Sequence, residues 1–138
     1  MQQPVVINSR PQEVYRRQDI LTANAADLVV MLYDALKKNL ILAKRKMAKN
    51  NLEGTHNALI KAQEIVTALL NSLDMNYEIS HDLAAIYDFI LRTMEEANAK
   101  KDTVMLEPLV EMVEELRSAW DEVRNTTKGT MYLSEEEA

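Results

Sequence analysis

The residues whose types and spacing could do chemistry in this chain are two Glu-x-x-His motifs, Glu53 with His56 and Glu78 with His81. Carboxylate-bridged di-iron centres use two such motifs on facing helices of a four-helix bundle, with further Glu residues from the other two helices. Each motif here stands at or just before the start of a predicted helix. The two helices follow one another across a short turn and so run antiparallel, which places the motifs at opposite ends, roughly 30 Å apart at 1.5 Å per residue. They cannot share a metal pair. Glu53 and His56 also fall beside, and not on, the apolar stripe of Leu52, Thr55 and Leu59, so the expectation is solvated residues at helix starts and no metal.

Other chemistries find less support. Phosphotransfer bundles carry Lys and Gly soon after an exposed His, whereas His56 precedes Asn57, Ala58 and Leu59, and His81 precedes Asp82, Leu83 and Ala84. Only Gly54 and Gly129 are available to shape a phosphate-cradling loop or a nucleophile elbow, and neither motif occurs. Cysteine is absent, which excludes disulfides and thiolate metal sites and suits a reducing cytoplasm. No catalytic residue, cofactor or metal ligand is therefore expected, and the chain reads as a non-enzyme. The formal net charge of −6, with acids and bases interspersed along the chain, offers no basic face to neutralise phosphates, so nucleic acid is not an expected partner. The start of the chain has no continuous apolar stretch behind a basic beginning, and no run of about 18 apolar residues follows, so neither a secretory leader nor membrane insertion is expected.

The elements that would position any site are helical. The chain has 138 residues, 47% of them hydrophobic, with only two Gly and three Pro, enough for one core and favouring long helices. Residues 1–23, with Pro4 and Pro11, read as an arm that Val14, Tyr15, Ile20 and Leu21 could pin down. Asn24 followed by Asp27 resembles a capping box opening the first helix, which runs to about Lys49. Asn50 and Asn51 break the pattern, and a second helix carries the seam Leu52, Thr55, Leu59, Ala62, Val66, Leu69 and Leu73 at alternating spacings of three and four. After a turn at Met75 to Glu78, the third helix has the predicted core stripe Ile79, Leu83, Ile86, Ile90, Met94 and Ala97. Asp102 is the next cap candidate. The fourth helix repeats the seam with Leu106, Leu109, Val113, Leu116, Trp120 and Val123, its regular part delayed by Pro108 to about Glu107. Residues 24–124 are thus an all-α, antiparallel up-down-up-down four-helix bundle, and residues 125–138 a disordered tail.

Apolar residues exceed what these seams need. On the first helix Leu28, Val29, Met31, Leu32, Tyr33, Ala35, Leu36, Leu40, Leu42 and Ala43 span an arc of about 200° at 100° per residue, with Val30 and Ile41 on the otherwise polar back. On the third, Ala84, Tyr87, Leu91 and Met94 form a second ribbon beside the core stripe, and Ile60 stands alone outside the second helix. Grooves lined by Leu, Met and Tyr suit an amphipathic partner helix.

The string Tyr15, Leu21-Thr22-Ala23-Asn24 and Asp27-Leu28-Val29-Val30-Met31-Leu32-Tyr33-Asp34-Ala35 resembles the flagellar secretion chaperone family FliS. The likeness continues through Leu59 to Ile65, Ser72-Leu73-Asp74, Ile86 to Arg92, Ala97-Asn98, Leu116-Arg117 and Ala119-Trp120, covering roughly residues 15–124. Ala25 and Ala35 depart from the family's Pro and Gly, and Pro108 interrupts a helix that is usually clean. The resemblance implies a cytoplasmic chaperone, monomeric when free, that binds the disordered C-terminal segment of flagellin as it becomes helical, prevents premature polymerisation and delivers it to the flagellar export apparatus. The N-terminal arm would cover part of the groove when flagellin is absent. The partner-binding residues expected on this basis are Tyr15, Leu21, Leu28, Met31, Leu32, Tyr33, Tyr87 and Leu91. The rival readings are a homo-oligomeric structural bundle and an adaptor for another amphipathic helix.

Overall fold

In the computed structural model the backbone is described over residues 18–137, and side chains over residues 26–122 and at Asn125. Four helices follow in order: α1 (Gln18–Ala48), α2 (Leu52–Asn71), α3 (Glu78–Lys100) and α4 (Glu107–Glu137), with a 3-10 turn at Thr103–Leu106 before α4. Helix α1 packs closely against both α2 and α4, and α2 against α3, while α3 and α4 approach one another mainly through the 3-10 turn.

The corners follow from local chemistry. Asn51 caps α2, its side-chain oxygen accepting the backbone N–H of Gly54 at 2.8 Å, and Asn50 before it takes a left-handed φ of 60° that Asn tolerates. A Cβ on Gly54 would come within 2.9 Å of the Lys46 Cδ, so glycine here allows the first turn of α2 to approach the end of α1. Asp102 caps the 3-10 turn through the Val104 N–H at 3.0 Å, and Pro108 falls in the first turn of α4, where its missing N–H costs no helical bond.

Both ends of the helical region differ from the sequence expectation. Helix α1 begins at Gln18, so Asn24 lies inside it and Leu21 belongs to the helix and not to an arm. Nothing between Gln18 and Asn24 breaks a helix, and the apolar spacing of Ile20 and Leu21 continues that of the following turns. Helix α4 extends along the chain to Glu137.

The core gathers Leu36, Leu40, Leu59, Val66, Leu69, Ile90, Met94, Leu106, Leu109 and Val113, all essentially inaccessible. Two predicted stripes are rotated in the structure. Val30, expected on the polar back of α1, is only 2% exposed. It shares a flank with Asp34 and Lys37, which reach Arg117 and Glu114 of α4, so that flank lies under α4 and not in solvent. On α3 the buried stripe is Ser80, Leu83, Tyr87, Ile90, Met94 and Ala97, so Tyr87 takes the central place given to Ile86, while Ile79 is 62% exposed and Ile86 half-buried. Leu52, at the head of the α2 seam, is also exposed.

Tyr87 can be buried because its hydroxyl is satisfied. Tyr33 on α1 and Tyr87 on α3 hydrogen-bond to one another through their phenolic oxygens in the middle of the core. Trp120 on α4 packs partly buried against the same core. Burial raises the pKa of both phenols, the largest cause at each.

This buried pair can be tested by substitution. Tyr33→Phe and Tyr87→Phe each leave a buried hydroxyl without its partner and should each cost about 1–3 kcal/mol in urea denaturation, with the double variant costing less than the sum. Because the folded-state phenol pKa values lie above the unfolded value of 10.0, their contribution is complete below that pH and is lost as pH rises beyond it. Alkaline titration of stability should show a decline setting in near pH 10, and a smaller one in the Tyr33→Phe/Tyr87→Phe double variant.

Candidate partner-binding surface

The expected partner residues fall into distinct environments. Leu28 and Met31 are open, 54% and 63% exposed, and stand one helical turn apart on α1. Leu32 and Leu91 are half-buried against the edge of the core. Tyr33 and Tyr87 are fully buried and bonded to each other, so a partner reaches neither without opening the bundle. Leu21 lies in α1 with its side chain outside the described residues, and Tyr15 lies outside them altogether.

The reason Leu28 and Met31 stay open is the placement of the neighbouring helices. Three ion pairs join α1 to α4: Asp34 with Arg117 at 2.6 Å, Lys37 with Glu114 at 2.7 Å and Lys44 with Glu107 at 3.7 Å. They mark the flank of α1 that α4 covers. Leu28, Met31 and Leu42, the last 37% exposed, project from the remaining outer face and form an apolar line along α1. Partly exposed and on the surface, each of these ion pairs adds only about 0–1 kcal/mol and serves to fix orientation more than stability.

Sequence reasoning did not single out the exposed apolar residues elsewhere: Ile79 and Phe89 on α3, Tyr77 and Met75 in the turn before it, and Val104 in the 3-10 turn. Ile79 belonged to the predicted core, and the 3-4 alternation Leu83-Tyr87-Ile90-Met94-Ala97 was the signal that would have placed it outside.

The two Glu-x-x-His motifs form no joint site. His56 lines a shallow outer surface of α2 with Asn57, Ile60, Lys61 and Glu64, and the His81 ring hydrogen-bonds the Met75 carbonyl at 3.0 Å. Among the described residues no three His, Cys, Asp or Glu side chains gather as metal ligands. No helix among them is long and apolar enough to cross a membrane.

A four-helix bundle with a hydrogen-bonded tyrosine pair inside and apolar side chains lined up on an outer helix face belongs to the class of all-α proteins that present surface to other chains. Comparison with known proteins makes this specific. The family model described as flagellar protein FliS matches residues 7–127, and the chain belongs to that family. It is 34% identical over 110 residues to the flagellar secretion chaperone FliS of Bacillus subtilis, covering 80% of this chain and 83% of the relative. It is 32% identical to that of Vibrio cholerae over 103 residues, covering 73% and 76%, and 30% identical to that of Escherichia coli over 106 residues, covering 75% and 78%.

The outer line of α1 yields a direct check on its structural independence. Met31→Asp and Leu28→Asp remove exposed side chains and bury no charge, so each should change unfolding free energy by no more than about 0.5 kcal/mol. Denaturant titration followed by Trp120 fluorescence measures this; a much larger loss would mean that the line is part of the core.

Proposed function

We propose that this protein is a cytoplasmic chaperone for flagellin, holding the C-terminal segment of its client, keeping it from polymerising early and passing it to the flagellar export apparatus. The observation that carries this reading is the apolar line of Leu28 and Met31 left open on α1 by the placement of α2 and α4. Membership of a family whose relatives are named flagellar secretion chaperones supports it.

The physics of such a client fits an extended track better than a pocket. A disordered segment that folds as it binds buries on the order of 1,000–3,000 Å² and loses ordering entropy at the same moment. Methionine, unbranched and polarisable, adapts to a variety of incoming side chains. Leu32 and Leu91, half-buried at groove edges, extend the contact, with Leu21 and Tyr15 completing it at the start of the chain. Tyr33 and Tyr87 hold the platform and do not touch the client.

Calorimetric titration with the C-terminal segment of flagellin from the same source, paired with circular dichroism, tests the proposal. Binding at micromolar Kd or tighter, about −8 kcal/mol, with negative heat-capacity change and gain of helix, is the expected result. Met31→Asp should weaken it at least tenfold, about 1.4 kcal/mol, while the bundle stays folded. A folded, monomeric sample that binds no flagellin segment would overturn the client assignment.

A further inference from the structure

The charges of this bundle are segregated by helix pair, although the sequence as a whole mixes them. Residues 26–71, from α1 through the following turn to the end of α2, carry seven Lys or Arg against four Asp or Glu; residues 72–122, from the turn before α3 through the described side chains of α4, carry four against thirteen. The acids of α4 that face α1 are engaged, Glu107 by Lys44 and Glu114 by Lys37. Glu111 and Glu115, one turn apart on a different face, have no ion-pair partner among the described residues, and neither has Asp82 on α3.

Glu115 lines an apolar opening, with Glu111 one turn before it on α4 and Asp82 one turn before Ile86 on α3. Helices α3 and α4 do not pack closely along their length. Ile86 on α3 faces Met112, Glu115 and Leu116 on α4 across a cleft of about 160 Å³. The floor is half-buried side chains packed on the core. Ile79, seven residues before Ile86 and on the same stripe, and Phe89, three after it, add exposed apolar surface at 62% and 44% exposure along the α3 side. The face is therefore an apolar trough with carboxylates on both walls, separate from the outer line of α1.

We propose that the α3/α4 cleft docks a basic amphipathic helix of a second protein partner, its apolar stripe seated on Ile86, Met112 and Leu116 and its flanking Lys or Arg paired with Glu111, Glu115 and Asp82. Charge complementarity selects this occupant. A second copy of the chain would have to bring either its own acidic α3/α4 face, which repels, or the outer face of α1, which the client occupies in the proposed complex. An acidic or neutral helix would leave the carboxylates unpaired at the rim of an apolar contact. The inference stands on the cleft and its charges and does not require that the client be flagellin.

The test uses the full chain with methyl-labelled methionine and a synthetic amphipathic Leu/Lys peptide of about four helical turns. Binding should move the Met112 methyl resonance, and the Glu111→Lys/Glu115→Lys variant should weaken it at least tenfold. The Glu53→Lys/Glu64→Lys variant, with the same charge change on α2, should bind as the parent does, and the Glu111→Lys/Glu115→Lys protein should hold the flagellin segment with unchanged affinity. Equal weakening by both variants, an unmoved Met112 methyl, or Met112 shifts that track protein concentration without peptide would overturn the proposal. So would loss of flagellin binding in the cleft variant, since the occupant would then be the client itself.

Discussion

Among the described residues helix α1 is covered on two flanks, by α2 and by α4, and the rest of the bundle is arranged around that constraint. Its inner stripe of Ala26, Val30, Tyr33, Leu36, Leu40, Ala43 and Met47 is buried almost completely. Hydrophobic burial of such side chains, about 1.5–3 kcal/mol for each large one, is what draws α2 and α4 onto it. Once both are in place no helix among the described residues covers the outer face, where Leu28 and Met31 lie. The exposed line on α1 is thus a result of the topology and not of an unfinished core.

The polar pair inside the bundle has a different part. Apolar seams fix how much surface is buried but are tolerant of small slips in register and rotation. A directional phenol–phenol bond between α1 and α3 narrows the rotations at which both helices are satisfied. It sets α3 so that Tyr87 points inward, and this same rotation carries Ile79 outward and leaves Ile86 at the mouth of the α3/α4 cleft. The outer surface of α3 is in this sense determined from inside.

The four-helix class, the caps at Asn51 and Asp102 and the delayed start of α4 at Pro108 were legible because each has a local cause: a side-chain acceptor, a spacing of three and four, a missing N–H. The face that α3 turns inward was legible only in the strict alternation Ser80-Leu83-Tyr87-Ile90-Met94-Ala97, which hydrophobicity overrode because the rival stripe carries Ile79 and Ile86. The deciding fact is non-local: Tyr87 finds a hydroxyl 54 residues away. Val30 was misplaced for a related reason, since only knowledge that α4 lies over the Asp34–Lys37 flank turns a polar back into a buried seam. Of the partner surface, Leu28 and Met31 were legible as apolar surplus, while the trough between α3 and α4 depends on the two helices standing apart, which no periodicity encodes.

The separation of charge between the two helix pairs gives the bundle an electrical polarity at right angles to its long axis. Fields from such a distribution reach about one Debye length, some 8 Å at physiological ionic strength, beyond the surface. An approaching chain with its own charge pattern is therefore turned before it touches, acidic stretches toward α1 and α2 and basic ones toward α3 and α4. Two ligands of opposite sign would arrive on opposite sides without competing for approach, and salt would slow both encounters while leaving the apolar contacts, and hence the residence of each once seated, largely as they were.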